Sequence, residues 1–332
     1  MAESRDRAAA GLTARLSALW APLAALALGG CMVGGPASAP VAAATSGALA
    51  AGATVNERVM GAEGPLALST WEPAEPTAII LGVHGYGDYG ASTFDAAAEA
   101  WAAERISTYA YDQRGFGRNP SWGQWPGAEA LIADLLVVAA EVRRRHPCVP
   151  LTVVGHSMGG GVTLAAAGQG LSADALVLAA PAIWGGAEMN PFHRLAAWGA
   201  AAVVPDRRFT GEGVVRIQAS DNIPMLRALG RDPLYLRPPS AREIMGLVRV
   251  TDRAEAAVTT VRQPALLLLG GKDQILPEKA VRRVFARTAG PREVQRYPDG
   301  WHLLFRDLQA AKVWADVARF ALATPPPEGC SP

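Results

Sequence analysis

The sequence predicts an α/β protein: a mostly parallel, eight-stranded sheet with helices on both faces and a helical cap insertion. Three observations carry this. Short apolar stretches alternate with longer stretches of helical period along most of the chain. The later apolar stretches run without alternation, as expected of parallel strands covered on both faces. One interval of about seventy residues shows no strand pattern, too long for a structureless connection in a compact domain.

The elements follow in order. Strands are expected at 54–60, 66–71, 78–84, 107–111, 151–155, 175–180, 265–269 and 293–297. Helices are expected at 93–104, 127–146, 158–168, 277–288 and 308–322, with Pro277 suited to a first helical turn. The core is thus 54–181 and 252–324, and the insertion is 182–251. Trp184, Phe192, Leu195, Trp198, Phe209 and Met225 give the insertion bulky apolar groups, expected to pack on the core or line a pocket above the sheet.

The first residues describe an export signal. Arg5, Arg7 and Arg15 precede an apolar run from Leu16 to Leu28, which meets Leu28-Gly-Gly-Cys31. That run is too short for a comfortable membrane span. Leu-Gly-Gly-Cys resembles the lipobox of bacterial lipoproteins, which implies lipid modification of Cys31 and attachment to a membrane of the bacterial cell envelope. Residues 32–53 are Gly, Ala, Ser, Pro and Thr with almost no charge, the composition of a flexible tether.

Bulk composition excludes little more. The 332 residues are 50% hydrophobic and 18% charged, enough for one large domain with a sizeable core. A net charge of +1 with no basic block speaks against a nucleic-acid partner. Of the three cysteines, lipidation of Cys31 leaves Cys148 and Cys330, an even number for an oxidising compartment. Cys148 precedes the strand leading to Ser157, at the sheet edge far from that serine. The last helix runs down toward the same edge, and Pro325-Pro-Pro-Glu-Gly329 spans about 15 Å when extended. A Cys148–Cys330 disulfide is therefore an expectation, with two free thiols as the alternative.

The chemistry centres on Leu151-Thr-Val-Val-Gly-His-Ser-Met-Gly-Gly-Gly161. A buried strand, a Gly-x-Ser-x-Gly turn and a small-residue helix are the context a nucleophilic serine needs. Ser157 must take an unfavourable backbone conformation to raise its Oγ, so Gly155 and Gly159 must lack bulk beside it. After Ser157 the histidines are His193, inside the insertion, and His302, in Tyr297-Pro-Asp-Gly-Trp-His302 after the last strand. His302 is the candidate base. Leu266-Leu-Leu-Leu-Gly-Gly-Lys-Asp273 places Asp273 at a strand end as the orienting acid; Asp299 and Asp112 are its rivals. His84-Gly-Tyr-Gly87 ends another strand, and the amides of Tyr86 and Met158 are the candidate oxyanion donors. His84 and His156 flank tight turns and read as buried, hydrogen-bonded residues.

Together with Tyr111-Asp-Gln-Arg-Gly-Phe-Gly117 and Gly270-Gly-Lys-Asp273, these motifs resemble the α/β-hydrolase superfamily, more closely its monoacylglycerol lipase/lysophospholipase branch. The resemblance runs from about Val59 to Phe320. It implies the α/β-hydrolase fold, Ser157, Asp273 and His302 as catalytic residues, no metal or cofactor, and a small acyl ester as substrate. An aminopeptidase or amidase of the same fold is the alternative, for which Glu188, Asp206, Glu212 and Asp221 would be amine-binding acids. A non-catalytic envelope lipoprotein is a second alternative. Epoxide hydrolases and dehalogenases need an aspartate where Ser157 stands.

Overall fold

The computed structural model describes residues 54–209, 217–236 and 238–330. The expected signal peptide, Cys31, the tether and Glu212 lie outside the described residues.

Eight strands form one sheet: β1 (Thr54–Gly61), β2 (Gly64–Trp71), β3 (Ala78–Val83), β4 (Ile106–Tyr111), β5 (Leu151–His156), β6 (Ala175–Ala179), β7 (Ala265–Gly270) and β8 (Arg292–Tyr297). Their order is β1-β2-β4-β3-β5-β6-β7-β8. The β1–β2 and β2–β4 pairs are antiparallel, and every pair from β4 onward is parallel. The fold class read from the pattern is the one observed, with strand ends shifted by no more than two residues. β3, β5, β6 and β7 are buried along their whole length, which is why their sequences are continuous apolar runs. β8 departs from that expectation: Arg292, Glu293, Gln295 and Arg296 are exposed, and only Tyr297 is buried. Charged side chains on an edge strand oppose pairing with another chain.

Between the core strands lie α1 (Gly90–Ala103), α2 (Ala128–Arg145), α3 (Met158–Ala167), α7 (Glu278–Phe285) and α8 (Ala310–Leu322), and the insertion carries α4 (Pro191–Val203), α5 (Ile223–Leu229) and α6 (Ala241–Ala257). α2, α3 and α6 pack together, as do α1 and α8, where the Trp101 indole donates to the carbonyl of Trp314 at 2.9 Å. Among the described residues no further strand lies between β6 and β7, only an isolated bridge between Arg208 and Ser240.

α6 crosses the expected boundary at residue 251 without a break. It opens on a capping box in which the Ser240 hydroxyl accepts from the Glu243 amide and the Glu243 carboxylate accepts from the Ser240 amide. It then lays Ile244, Leu247, Val248, Val250 and Ala254 into the core beside α3. α4 departs from expectation differently. Only its Ala197 is buried, while Phe192, Leu195 and Trp198 are 72%, 63% and 62% exposed. The helix buries its small residue and turns its bulk outward. Trp184 is buried, and Phe209 and Met225 pack against the core as expected. No described helix is long and apolar enough to cross a membrane.

Cys148 and Cys330 are joined in a disulfide with Cα atoms 5.4 Å apart, across 182 positions of sequence. The bond ties the tail after α8 to the start of β5. Ser157 lies at the other end of that strand, about 20 Å away at the rise of a β-strand. Cys330→Ser is therefore expected to lower unfolding stability by about 2–5 kcal/mol, read by denaturant titration.

Candidate active site

β5 ends in a turn that only a few backbone conformations can make. Ser157 sits there at φ 52° and ψ −117°, with its amide bonded to the Ala179 carbonyl at 3.0 Å. The glycines two residues away are needed for space. A Cβ on Gly155 would lie 2.6 Å from both the Gly159 carbonyl and the Thr163 hydroxyl, and one on Gly159 would meet the carbonyls of Val83 and His84. Both glycines let α3 start directly under the ends of β3 and β5.

This turn aims Ser157 Oγ at the loop after β8. His302 Nε2 lies 2.9 Å from Ser157 Oγ, and His302 Nδ1 lies 2.9 Å from Asp273 Oδ2. The other oxygen of Asp273 accepts from the amides of Ile275 at 2.7 Å and Leu276 at 3.2 Å. Burial alone would push the Asp273 carboxyl up. The His302 charge and hydrogen bond, with these two amides, outweigh it and hold the group below the ordinary carboxylate range. A carboxylate on Nδ1 leaves Nε2 free to accept a proton from the serine.

The rivals are occupied elsewhere. Asp299 is 76% exposed and pairs with Lys272 at 2.8 Å. Asp112 is fully buried and accepts from the Gly90 amide and the guanidinium of Arg118. His193 lies in the first turn of α4, where its amide donates to the Asn190 carbonyl. His84 donates from Nδ1 to the Gly85 carbonyl and accepts at Nε2 from the Gln113 amide, both at 2.8 Å; burial lowers its pKa. His156 donates from Nε2 to the carbonyl of His302 at 3.0 Å, and burial, then the His302 charge, pull its pKa down to about 3. Both histidines are neutral braces.

The loop with Tyr86 stands over this group. A Cβ on Gly85 would be 3.3 Å from Ser157 Cβ, so the loop is in contact with the serine. Among the described residues the amides of Tyr86 and Met158 donate to no acceptor. They flank Ser157, one on the loop and one at the start of α3, whose N-terminal dipole favours developing negative charge. The Tyr86 ring packs edge-on to Phe116 and tilted to Trp125. Asp88, three residues after Gly85, forms a buried ion pair with Arg306, tying this loop to the one that carries His302. Burial would raise the Asp88 carboxyl, but the Arg306 charge outweighs it and holds the group low.

The sequence offered no periodic or motif signal for Arg306, for Asp307, or for the insertion residues that touch them. Gln113 and Phe116 came to notice only as members of a motif; one braces His84 and the other supports Tyr86. Among the described residues no cluster of His, Cys, Asp and Glu is arranged to hold a metal ion.

Comparison with known proteins adds the family. The chain is 27% identical over 266 residues to a monoacylglycerol lipase of Mycolicibacterium smegmatis, covering 76% of this chain and 91% of the relative. It is 24% identical over 250 residues to the monoglyceride lipase of Rattus norvegicus, covering 72% and 80%. Among solved structures, a soluble variant of the monoglyceride lipase of Saccharomyces cerevisiae superposes with a TM-score of 0.68 at 19% identity, covering 85% of this chain and 98% of the other. The model of the serine aminopeptidase S33 family matches residues 74–309, which include Ser157, Asp273, His302 and the whole insertion. The chain is an α/β-hydrolase and belongs to the serine aminopeptidase S33 (Hydrolase_4) family.

Proposed function

We propose that the protein is a serine hydrolase that cleaves the carboxylic ester of acyl lipids, of monoacylglycerol or lysophospholipid type, through an acyl-enzyme on Ser157. The observation that carries this reading is the chain from Ser157 Oγ through His302 to Asp273, with both contacts at 2.9 Å, on the strained turn after β5.

His302 Nε2 takes the Ser157 proton as Oγ attacks the ester carbonyl. Asp273 keeps the proton on Nδ1 and stabilises the imidazolium that forms. The amides of Tyr86 and Met158 bind the oxyanion, each worth roughly 3–4 kcal/mol by analogy with other acyl-transfer sites. His302 then protonates the departing alcohol, and water attacks the acyl-enzyme by the reverse of the same steps.

Two observations favour lipid esters. α4 presents Phe192, Leu195, Trp198 and Val203 to solvent at helical spacing, an apolar face suited to a lipid surface. The relatives named above are monoacylglycerol and monoglyceride lipases. The family is described as a serine aminopeptidase, but the three candidate amine-binding acids among the described residues each have a partner already. Glu188 pairs with Arg283, Asp206 is 83% exposed and pairs with Arg242, and Asp221 accepts from the Leu308 amide. Membrane attachment through Cys31 in the bacterial cell envelope is part of the same proposal and rests on the Leu28-Gly-Gly-Cys31 pattern.

Ser157→Ala is expected to abolish ester hydrolysis and fluorophosphonate labelling, and Asp273→Asn to lower kcat by roughly 10⁴ through the wrong imidazole tautomer. Retained activity in Ser157→Ala would end the proposal. Because the His302 contact keeps Asp273 ionised and burial keeps His156 neutral, neither adds a second protonation to the acid limb of kcat/KM. Activity should fall with unit slope as pH drops; a slope of two would implicate a second group. Phe192→Ser with Trp198→Ser should depress hydrolysis of dispersed monoacylglycerol about tenfold while sparing a soluble butyrate ester. A panel across acyl lengths, headgroups and aminoacyl arylamides separates the lipid reading from the peptidase one.

A further inference from the structure

Three backbone contacts fix the position of His302. The Trp301 amide, just before it, donates to Asp307 Oδ2 at 2.7 Å. The His302 carbonyl accepts from His156 at 3.0 Å. The Leu303 amide, just after it, donates to the Ala219 carbonyl at 3.0 Å. The last contact comes from the insertion, and the first depends on it, because Ser220 Oγ donates to the other oxygen of Asp307 at 2.6 Å.

Ser220 and Asp307 are both buried, at 0% and 3% exposure. The Ser220 hydroxyl also accepts from the Asn222 amide at 3.2 Å, so its proton is directed to Asp307. Burial pushes the Asp307 carboxyl above the ordinary range, against the pull of the Ser220 hydroxyl and the Trp301 amide. Losing either donor leaves a buried acceptor undersatisfied, and the loop must move to compensate. The neighbours reinforce the join. Asn222 Nδ2 donates to the Arg306 carbonyl at 3.0 Å, the Leu308 amide donates to Asp221 Oδ1 at 2.9 Å, and the Gln218 amide donates to the side chain of Gln274, next to Asp273, at 3.1 Å. Every residue of the insertion from 218 to 222 thus touches a loop that carries His302 or Asp273.

We propose that Ser220 and Asp307 form a latch through which the cap holds His302 in reach of both Ser157 and Asp273. They are positioning residues: neither touches the reacting atoms, and each acts through the Trp301–Leu303 backbone. Both 2.9 Å contacts of the imidazole depend on where that backbone lies, and misplacement by about 1 Å costs on the order of 10²-fold in rate. The latch rests on the assignment of His302 as the base for Ser157.

The test uses the full-length protein and 4-nitrophenyl butyrate, with Ser220→Ala, Asp307→Ala, Asp307→Asn, the Ser220→Ala/Asp307→Ala double variant and Ser157→Ala. Ser220→Ala and Asp307→Ala should lower kcat about 10- to 100-fold with KM within about twofold, in protein still folded at the assay temperature by thermal melting. The double variant should be no slower than Asp307→Ala, because both changes break one latch. Asp307→Asn, whose amide oxygen still accepts from Trp301, should recover kcat to within about threefold of the parent. Unchanged kcat in Ser220→Ala, a loss confined to KM, or losses that multiply in the double variant would overturn the latch. Should Asp307→Ala fail to fold, the kcat of Ser220→Ala alone decides. An inactive Ser157→Ala beside a fully active Ser220→Ala removes the latch and leaves the nucleophile; an active Ser157→Ala removes both.

Discussion

At Ser157 the chain passes from β5 to α3 with φ 52° and ψ −117°, a conformation that costs a residue with a side chain about 1–3 kcal/mol. The structure around it is arranged to hold that turn. The Ser157 amide is bonded to the end of β6, and the Ser157 carbonyl accepts from the Gly160, Gly161 and Ala182 amides. Gly155 and Gly159 let the ends of β3 and β5 approach α3 to backbone contact. With the turn in place, the hydroxyl stands at the carboxyl edge of a parallel sheet, where the loops after β3, β7 and β8 also end. Residues far apart in sequence then need only short loops to meet.

The second constraint is that so much of this edge is buried and polar. His84, His156, Asp88, Asp112, Gln113 and His302 are each at most 3% exposed. Burial favours the neutral form of a histidine, and His84 and His156 answer by serving as hydrogen-bonded braces. The buried carboxylates there have fixed partners: Asp88 pairs with Arg306, Asp112 with Arg118 and Asp273 with His302. Removing one member of such a pair leaves a buried charge uncompensated, so these pairs specify loop geometry more than they add stability.

The insertion joins this edge through polar contacts and meets solvent with an apolar face. The Leu236 amide donates to the Gly87 carbonyl at 2.7 Å, and the Tyr89 hydroxyl donates to Asp232 at 2.7 Å. These bonds hold the loop that carries Tyr86, while the segment before α5 (Ile223–Leu229) holds the loop that carries His302. α6 anchors the whole insertion by continuing into the core against α3. α4 is attached more lightly, by packing on α6 and by the Arg194–Asp252 ion pair, which leaves its bulky side chains outward.

The sequence by itself determined the strands, the turn and which acid and histidine meet Ser157. Continuous apolar runs such as Leu151–His156 have no stable place except a sheet covered on both faces, and Gly-x-Ser-x-Gly after such a run leaves the serine one local geometry. Chain order then singled out Asp273 and His302, because both follow strand ends that a parallel sheet brings to the same edge. Only the tertiary structure decided what touches these residues from the insertion. Ser220 and Asp307 are 87 positions apart, and Gly246 meets Trp125 across a still longer gap. Neither pairing leaves a periodic trace in sequence, because one hydrogen bond or one close contact constrains two positions and not a pattern. The boundary at residue 251 was invisible for a related reason: α6 keeps one helical period while its surroundings change from cap to core. The outward face of α4 was hidden too, since an apolar stripe reads the same whether it meets a core or water.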